Sequence, residues 1–402
     1  HGCSQVFFFI RLIIMKYSVF HIATILGALS LVAGQSSIKL RRYGAEEDLY
    51  KMDNIDRQAK FVVAKYASNA QTFFQNTGKH QTVVNGTTLS RRANSGELEL
   101  HMLDAATWVG EVEIGTPGQK QAVMFDSGSP NIVIGEDSYK PQDSLTSKDL
   151  DKGFEVTYLG PTAKGTIYTD VVTVAGVKAK HVAIGRSSSD FMNDKKAGKI
   201  VGLFGLSYPS LGSFGVPDKN TYIGATKNQK IFYDDIFQFH MRRLGDSYLN
   251  VGKIDMNRVD GDIAWVDVDK SEGYWKADVE INGQKSSGII DSGTTFIFGK
   301  NEDVKKILDD IDGLEITKTN SGDWQAFYKC DSPPEIKLKV AGKEVTMDAE
   351  AIIAGRDGNQ CKLCIAGAQG LQSWVFGADL FQMYTVIFDF EKERMGFGKQ
   401  KN

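Results

Sequence analysis

A repeat dominates this sequence. Val123-Met124-Phe125-Asp126-Ser127-Gly128-Ser129 is answered by Gly288-Ile289-Ile290-Asp291-Ser292-Gly293-Thr294-Thr295, and the two aspartates stand 165 residues apart in a chain of 402. Each copy reads as an apolar strand running into Asp-Ser-Gly and a hydroxyl residue. Each is followed by a second echo, Leu203-Phe204-Gly205 after the first and Val375-Phe376-Gly377 after the second, at intervals of 79 and 86 residues. A single Asp-Ser-Gly is only a turn. Two copies at strand ends, each with a matched downstream partner, specify two similar lobes that each supply one carboxylate.

The surrounding texture agrees with a β-rich body. After Arg92, short apolar segments alternate with glycine, and the chain has 41 glycines against 8 prolines. Glu111–Ile114, Ala122–Phe125, Val171–Val174, Tyr248–Val251, Ile263–Val268, Glu335–Val340 and Tyr384–Phe388 read as strands. One clear helix interrupts them, with Asn301 as its cap, Val304, Ile307, Leu308 and Ile311 on one face, and Gly313 after its end. The expected fold is all-β and bilobal, with lobes 93–256 and 257–402 and a cleft between them.

If the lobes face each other about an approximate two-fold axis, Asp126 and Asp291 meet at the interface. Two adjacent carboxyls cannot easily both ionise, so the pair shares a proton. The ionised member can deprotonate a water between them, and the protonated member can donate to a carbonyl under attack. Gly128 and Gly293 allow close backbone approach, and Ser129 and Thr294 offer hydroxyls to the outer carboxylate oxygens. Histidine chemistry has little support. There are six histidines, and neither a Gly-x-Ser-x-Gly elbow nor a His-Glu-x-x-His helix is present. Cys361-x-x-Cys364 lacks a second pair or spaced histidines that would make it a zinc site.

On these motifs the chain resembles the pepsin family of aspartic endopeptidases, across essentially all of 93–402. Ile114-Gly115-Thr116-Pro117-Gly118-Gln119 resembles the family's opening strand-turn, and the two Asp-Ser-Gly segments resemble its catalytic motifs, with Ser127 and Ser292 where threonine is commoner. Gly202–Leu206 and Trp374–Gly377 resemble the paired segments that thread beneath the active site. The resemblance implies peptide-bond hydrolysis at acidic pH by Asp126 and Asp291, on protein or peptide substrates, with no cofactor, no metal and a monomeric enzyme. It implies a flap with Tyr158, although the tip after it is longer than usual and Val133 stands where a tryptophan is common. Met124, Tyr158 and Leu203 match positions lining an apolar pocket, which favours bulky apolar residues flanking the cut. Cys364-Ile365-Ala366-Gly367 resembles the family's cysteine segment, which implies a Cys330–Cys364 bridge and leaves Cys361 over. A member that only binds or inhibits is the rival reading, and intact Asp and Gly residues in both motifs weigh against it.

The net charge of −3 conceals two opposite compositions. Residues 1–92 hold 12 Lys and Arg against 5 Asp and Glu, net +7, while the remainder holds 35 against 45, net −10. No basic patch suggests nucleic-acid binding. Met15-Lys16, an uncharged run to Ala33 and the small residues before Gly34 read as a secretory signal peptide within a leader of 1–34. Arg11 and Lys16 break any longer apolar span, so no stable membrane anchor is expected. Residues 35–92 then read as a propeptide, with processing at Arg91-Arg92 and, more weakly, at Arg41-Arg42. Its Leu49, Met52, Ile55, Ala59, Val62 and Tyr66 recur at helical steps. Lys65-Tyr66 resembles the family's inhibitory lysine-tyrosine pair, making the propeptide an intramolecular inhibitor. The sole Asn-x-Thr sequon, at Asn85, lies in the same segment. The expected destination is the cell exterior, with the vacuole as the alternative.

Overall fold

The computed structural model describes residues 36–43, 51–84, 107–157, 162–188, 200–232, 234–243 and 246–401. The signal segment with Cys3, the sequon at Asn85, the pair Arg91-Arg92 and Tyr158 lie outside the described residues.

In chain order the elements begin with β1 (Ser36–Tyr43) and α1 (Asn54–Thr77). There follow β2 (Thr107–Ile114), β3 (Gln119–Asp126), β4 (Ile132–Gly135), β5 (Lys148–Thr157), β6 (Thr162–Val174), β7 (Val177–Ser187) and β8 (Gly202–Gly205). Helix α2 (Tyr222–Gln229) leads into β9 (Ile236–His240), β10 (Ser247–Val251) and β11 (Val259–Asp267). The second half contains β12 (Lys276–Ile281), β13 (Gln284–Ile290), β14 (Ile297–Gly299), α3 (Asn301–Asp309), β15 (Glu315–Lys318) and β16 (Trp324–Lys329). It ends with β17 (Lys337–Val340), β18 (Lys343–Thr346), β19 (Ile353–Asp357), β20 (Gln360–Leu363), β21 (Ile365–Gly367), β22 (Trp374–Phe376), α4 (Ala378–Met383), β23 (Tyr384–Asp389) and β24 (Arg394–Gln400). The protein is mostly β, as its patterning required.

The repeat is a repeat of topology. Strand β3 lies parallel to β8, with Phe125 opposite Phe204 and Asp126 opposite Gly205, and β8 is antiparallel to β4. In the second half β13 lies parallel to β22, with Ile290 opposite Phe376, and β22 is antiparallel to β14. Each downstream glycine is forced by this crossing. A Cβ on Gly205 would lie 2.4 Å from the Pro130 carbonyl carbon, and one on Gly377 would lie 2.4 Å from the Phe296 oxygen. No side chain fits between backbones that close.

One thirteen-stranded sheet joins the two halves, in the order β11-β24-β23-β9-β10-β1-β2-β3-β8-β4-β7-β6-β5. Strand β1 sits in its middle, pairing with β10 through Ser36–Leu40 and with β2 through Arg41–Tyr43. Sequence reading did not anticipate this strand. The second half adds a seven-stranded sheet, β18-β17-β12-β13-β22-β14-β21, and a four-stranded one, β15-β16-β20-β19.

Helix α1 carries the expected apolar face, with Ile55, Ala59, Val62 and Tyr66 buried, and continues the same stripe through Ala70 and Phe73. It ends where Gly78 adopts a left-handed conformation (φ +70°) and its N–H caps the Phe74 carbonyl. Asn301 does not cap α3. Its Oδ1 accepts from the Trp324 N–H at 3.0 Å and ties the helix to β16.

The disulfide corrects the sequence reading. Cys330 bonds to Cys361, not to Cys364. Strands β16 and β20 pair with Tyr328 opposite Cys361, and the Cys330 N–H bonds the Asn359 carbonyl, which brings the two Cα atoms to 5.1 Å. Cys364 lies three residues further, past the end of β20, and an odd step reverses the face of an extended chain. Its thiol is buried and free.

Candidate active site

The strand ends put the two motifs face to face. Asp126 closes β3, Asp291 follows β13, and both side chains are completely buried. Each carboxylate is held by its own motif in the same way. Gly128 N–H donates to Asp126 Oδ1 at 2.9 Å and Ser129 Oγ to Oδ2 at 2.6 Å. Gly293 N–H donates to Asp291 Oδ1 at 3.0 Å and Thr294 Oγ1 to Oδ2 at 2.6 Å. The glycines also set the separation of the halves. A Cβ on Gly128 would lie 2.6 Å from Asp291 Oδ1, and one on Gly293 would lie 2.4 Å from Asp126 Oδ1.

The middle residue of each motif crosses to the other half. Ser127 Oγ donates to the Ile290 carbonyl at 2.9 Å and accepts from the Ser292 N–H at 2.9 Å. Ser292 Oγ donates to the Phe125 carbonyl at 2.9 Å and accepts from the Ser127 N–H at 3.0 Å. These four bonds form a closed, two-fold lattice beneath the carboxylates. Sequence reading noted the serines without giving them a role; their identical place in both copies was the available signal.

A cation from α1 fills the space between the carboxylates. Lys65 Nζ donates to Asp126 Oδ1 at 2.7 Å and to Asp291 at 2.9 Å (Oδ2) and 3.1 Å (Oδ1). Tyr66 O–H donates to Asp291 Oδ2 at 2.9 Å, and Asn69 Nδ2 to the Gly128 carbonyl at 2.9 Å. Burial acts to lower the Lys65 pKa, but the charges of Asp126 and Asp291 offset it and leave the ammonium above its ordinary 10.5. Burial also pushes Asp126 up to about 6, against the pull of Lys65 and with the repulsion of Asp291. Asp291 falls below its ordinary 3.8, because Lys65 and hydrogen bonds to its oxygens outweigh burial. One site therefore favours the proton and the other the charge.

The other expected site residues are placed as follows. Met124 and Leu203 stand opposite each other across β3 and β8, and both belong to the continuous apolar core. Tyr158 lies outside the described residues, in the connection between β5 and β6. Val133 is completely buried on β4.

Comparison with known proteins adds to this geometry. Residues 107–400 match the family model for eukaryotic aspartyl protease. The chain is similar to secreted aspartyl protease 1 of Malassezia globosa, 32% identical over 88% of this chain and 90% of that protein. It is similar to a second protein of that organism, named "Probable inactive secreted aspartyl protease", 26% identical over 94% of this chain and 99% of the other. Chymosin of Camelus dromedarius is 27% identical over 73% of this chain and 80% of its own.

Proposed function

The chain belongs to the eukaryotic aspartyl protease family, and we propose that it is an endopeptidase made as a latent precursor, with Asp126 and Asp291 as its catalytic pair. The observation that carries this reading is the doubled site itself. Two buried carboxylates each receive a glycine N–H and a hydroxyl from their own motif, and a single cation reaches both. An atom within hydrogen-bond reach of both carboxylates marks where an attacking water would sit.

With Lys65 withdrawn, that water takes its place. The ionised carboxylate accepts a water proton while the water oxygen bonds to the peptide carbonyl carbon, and the protonated carboxyl donates to the carbonyl oxygen. The tetrahedral intermediate then breaks its C–N bond as a proton passes to the leaving nitrogen. The shared-proton behaviour is the known property of such paired aspartates. Residues 35–92 act as the propeptide, with Lys65 as the inhibitory cation and Arg92 as the processing site. Residues 93–256 and 257–402 form the two catalytic lobes. Bulky apolar residues flank the cut. The similarity to a secreted protease and the leader at 15–34 support export, with the vacuole as the alternative destination; among the described residues, no helix is long and apolar enough to cross a membrane.

The name of the second Malassezia globosa relative keeps an inactive binding protein as the competing reading. Incubating the acid-treated protein with denatured globin at pH 3–5 separates the two. The endopeptidase reading expects cleavage that a statine peptide blocks and that Asp126→Asn and Asp291→Asn each reduce by about 10³-fold or more. Activity that survives either substitution overturns it.

A further inference from the structure

The ammonium of Lys362 on β20 has no polar partner within the mature lobes among the described residues. Its ammonium donates to the Met52 carbonyl and to Asp56 Oδ1, both at 2.8 Å, and both acceptors belong to the propeptide. The body contributes the face of Phe327, with Nζ 5.5 Å from the ring centre. With the propeptide in place the side chain is only 2% exposed. The propeptide lies directly on this surface, since a Cβ on Gly355 of β19 would come 2.8 Å from the Met52 Cα.

The same helix leads from Lys362 to the catalytic pair. Asp56 precedes Lys65 by nine residues within α1, which at 1.5 Å per residue is about 13.5 Å along the axis. An extended peptide covers that distance in about four residues. Beyond Lys65 the helix tracks the opposite lobe, where Asn69 reaches the Gly128 carbonyl and Asn76 the carbonyls of Ser210 and Gly212. Helix α1 thus lies along the cleft that a substrate must occupy once the propeptide has gone. Removing it leaves an ammonium beside an aromatic face, with its acceptors missing, in a body whose overall charge is negative.

We propose that Lys362 is a specificity-determining residue, which in the mature protein binds an acidic side chain of the substrate about four residues from the scissile bond, in the place that Asp56 holds in the precursor. The inference rests on the endopeptidase reading above. The rival is that Lys362 only anchors the propeptide and does nothing afterwards.

A peptide scan with the acid-activated, propeptide-free protein decides between them. The peptides carry Glu, Gln or Lys in turn at each position up to five residues either side of the cut. They are assayed near pH 5.5, above the glutamate pKa of about 4.3. The expected result is a Glu-over-Gln preference of about tenfold in kcat/KM at one position three to five residues from the cut. Lys362→Met should abolish it, Lys362→Arg should keep it and Lys362→Glu should turn it toward Lys. A flat scan with the unaltered protein overturns the inference without any variant, while cleavage of the Gln peptides still upholds the endopeptidase reading. A preference that persists in both Lys362→Met and Lys362→Glu overturns it as well. If no peptide is cut at all, the endopeptidase reading falls and takes this inference with it.

Discussion

Ser127 and Ser292 each satisfy two buried backbone groups of the other half, so neither hydroxyl can be lost quietly. Ser127→Ala orphans the Ile290 carbonyl and the Ser292 N–H, both buried, at a cost of about 1–3 kcal/mol. Ser292→Ala should cost a similar amount. Because the four bonds close one lattice, the double variant should lose less than the sum of the singles, while threonine at either position keeps the hydroxyl and much of the stability. Urea unfolding of the three alanine variants and the two threonine variants checks this. The roles of these serines were not legible in advance, because they exist only when two turns meet across a two-fold axis. The aspartates were legible, since an apolar strand running into Asp-Ser-Gly twice leaves few other uses for them. The cysteines failed for a local reason: which of Cys361 and Cys364 faces Cys330 depends on strand register, which spacing alone does not reveal.

The elements within residues 35–92 show the same division. Helix α1 was legible because its apolar residues recur at helical steps; Met52 of that pattern falls in the turn before it, Leu49 lies outside the described residues, and its extension to Thr77 exceeded the pattern. Strand β1 was not. Its alternation covers Ile38 and Leu40 only, and the adjoining Arg41-Arg42 invited a reading as an exposed processing site. In the fold the backbones of Arg41 and Arg42 pair with Val109 and Trp108 of β2, directly after the five residues that pair with β10. A protease needs an extended segment free to enter its cleft, and backbone held in a strand ladder must first leave it. A trypsin-like protease should therefore cut at Arg41-Arg42 slowly in the native precursor at neutral pH, and quickly once the protein is unfolded. N-terminal sequencing of the fragments from both digests distinguishes these cases; rapid native cleavage at Arg42 would show that β1 leaves the sheet readily.

At the scale of the whole molecule, the proposed latency sets a propeptide of net +5 (residues 35–92, 10 Lys and Arg against 5 Asp and Glu) against a −10 body, and the buried trio decides how acid releases it. Asp291 is held below its ordinary 3.8, so it favours the docked propeptide at all pH values above that range and loses this effect as pH falls through its depressed pKa. Asp126 acts in the same sense at higher pH. Burial and Asp291 raise it to about 6, Lys65 pulls it down, and as pH falls through about 6 it takes a proton and gives up its attraction for the propeptide cation. Lys65, raised above 10.5, contributes at all lower pH values and fails only in alkali. Between about pH 6 and 3.8 Asp291 alone keeps its charge beside Lys65, so mild acidification weakens docking without ending it. Release is complete only below pH 3.8, as pH falls through the depressed pKa of Asp291. Lys65→Met removes the cation and leaves two facing carboxylates under an apolar side chain, which should shift release to higher pH and give activity without an acid step. Raising the salt should also ease release, because screening weakens the long-range attraction between the two charge blocks. Following globin cleavage after timed exposure to pH 3 through 7, with and without 0.5 M (roughly a 4 Å screening length) salt, reads both effects. A release midpoint near pH 6 in the unaltered precursor would mean that Asp126, not Asp291, governs opening.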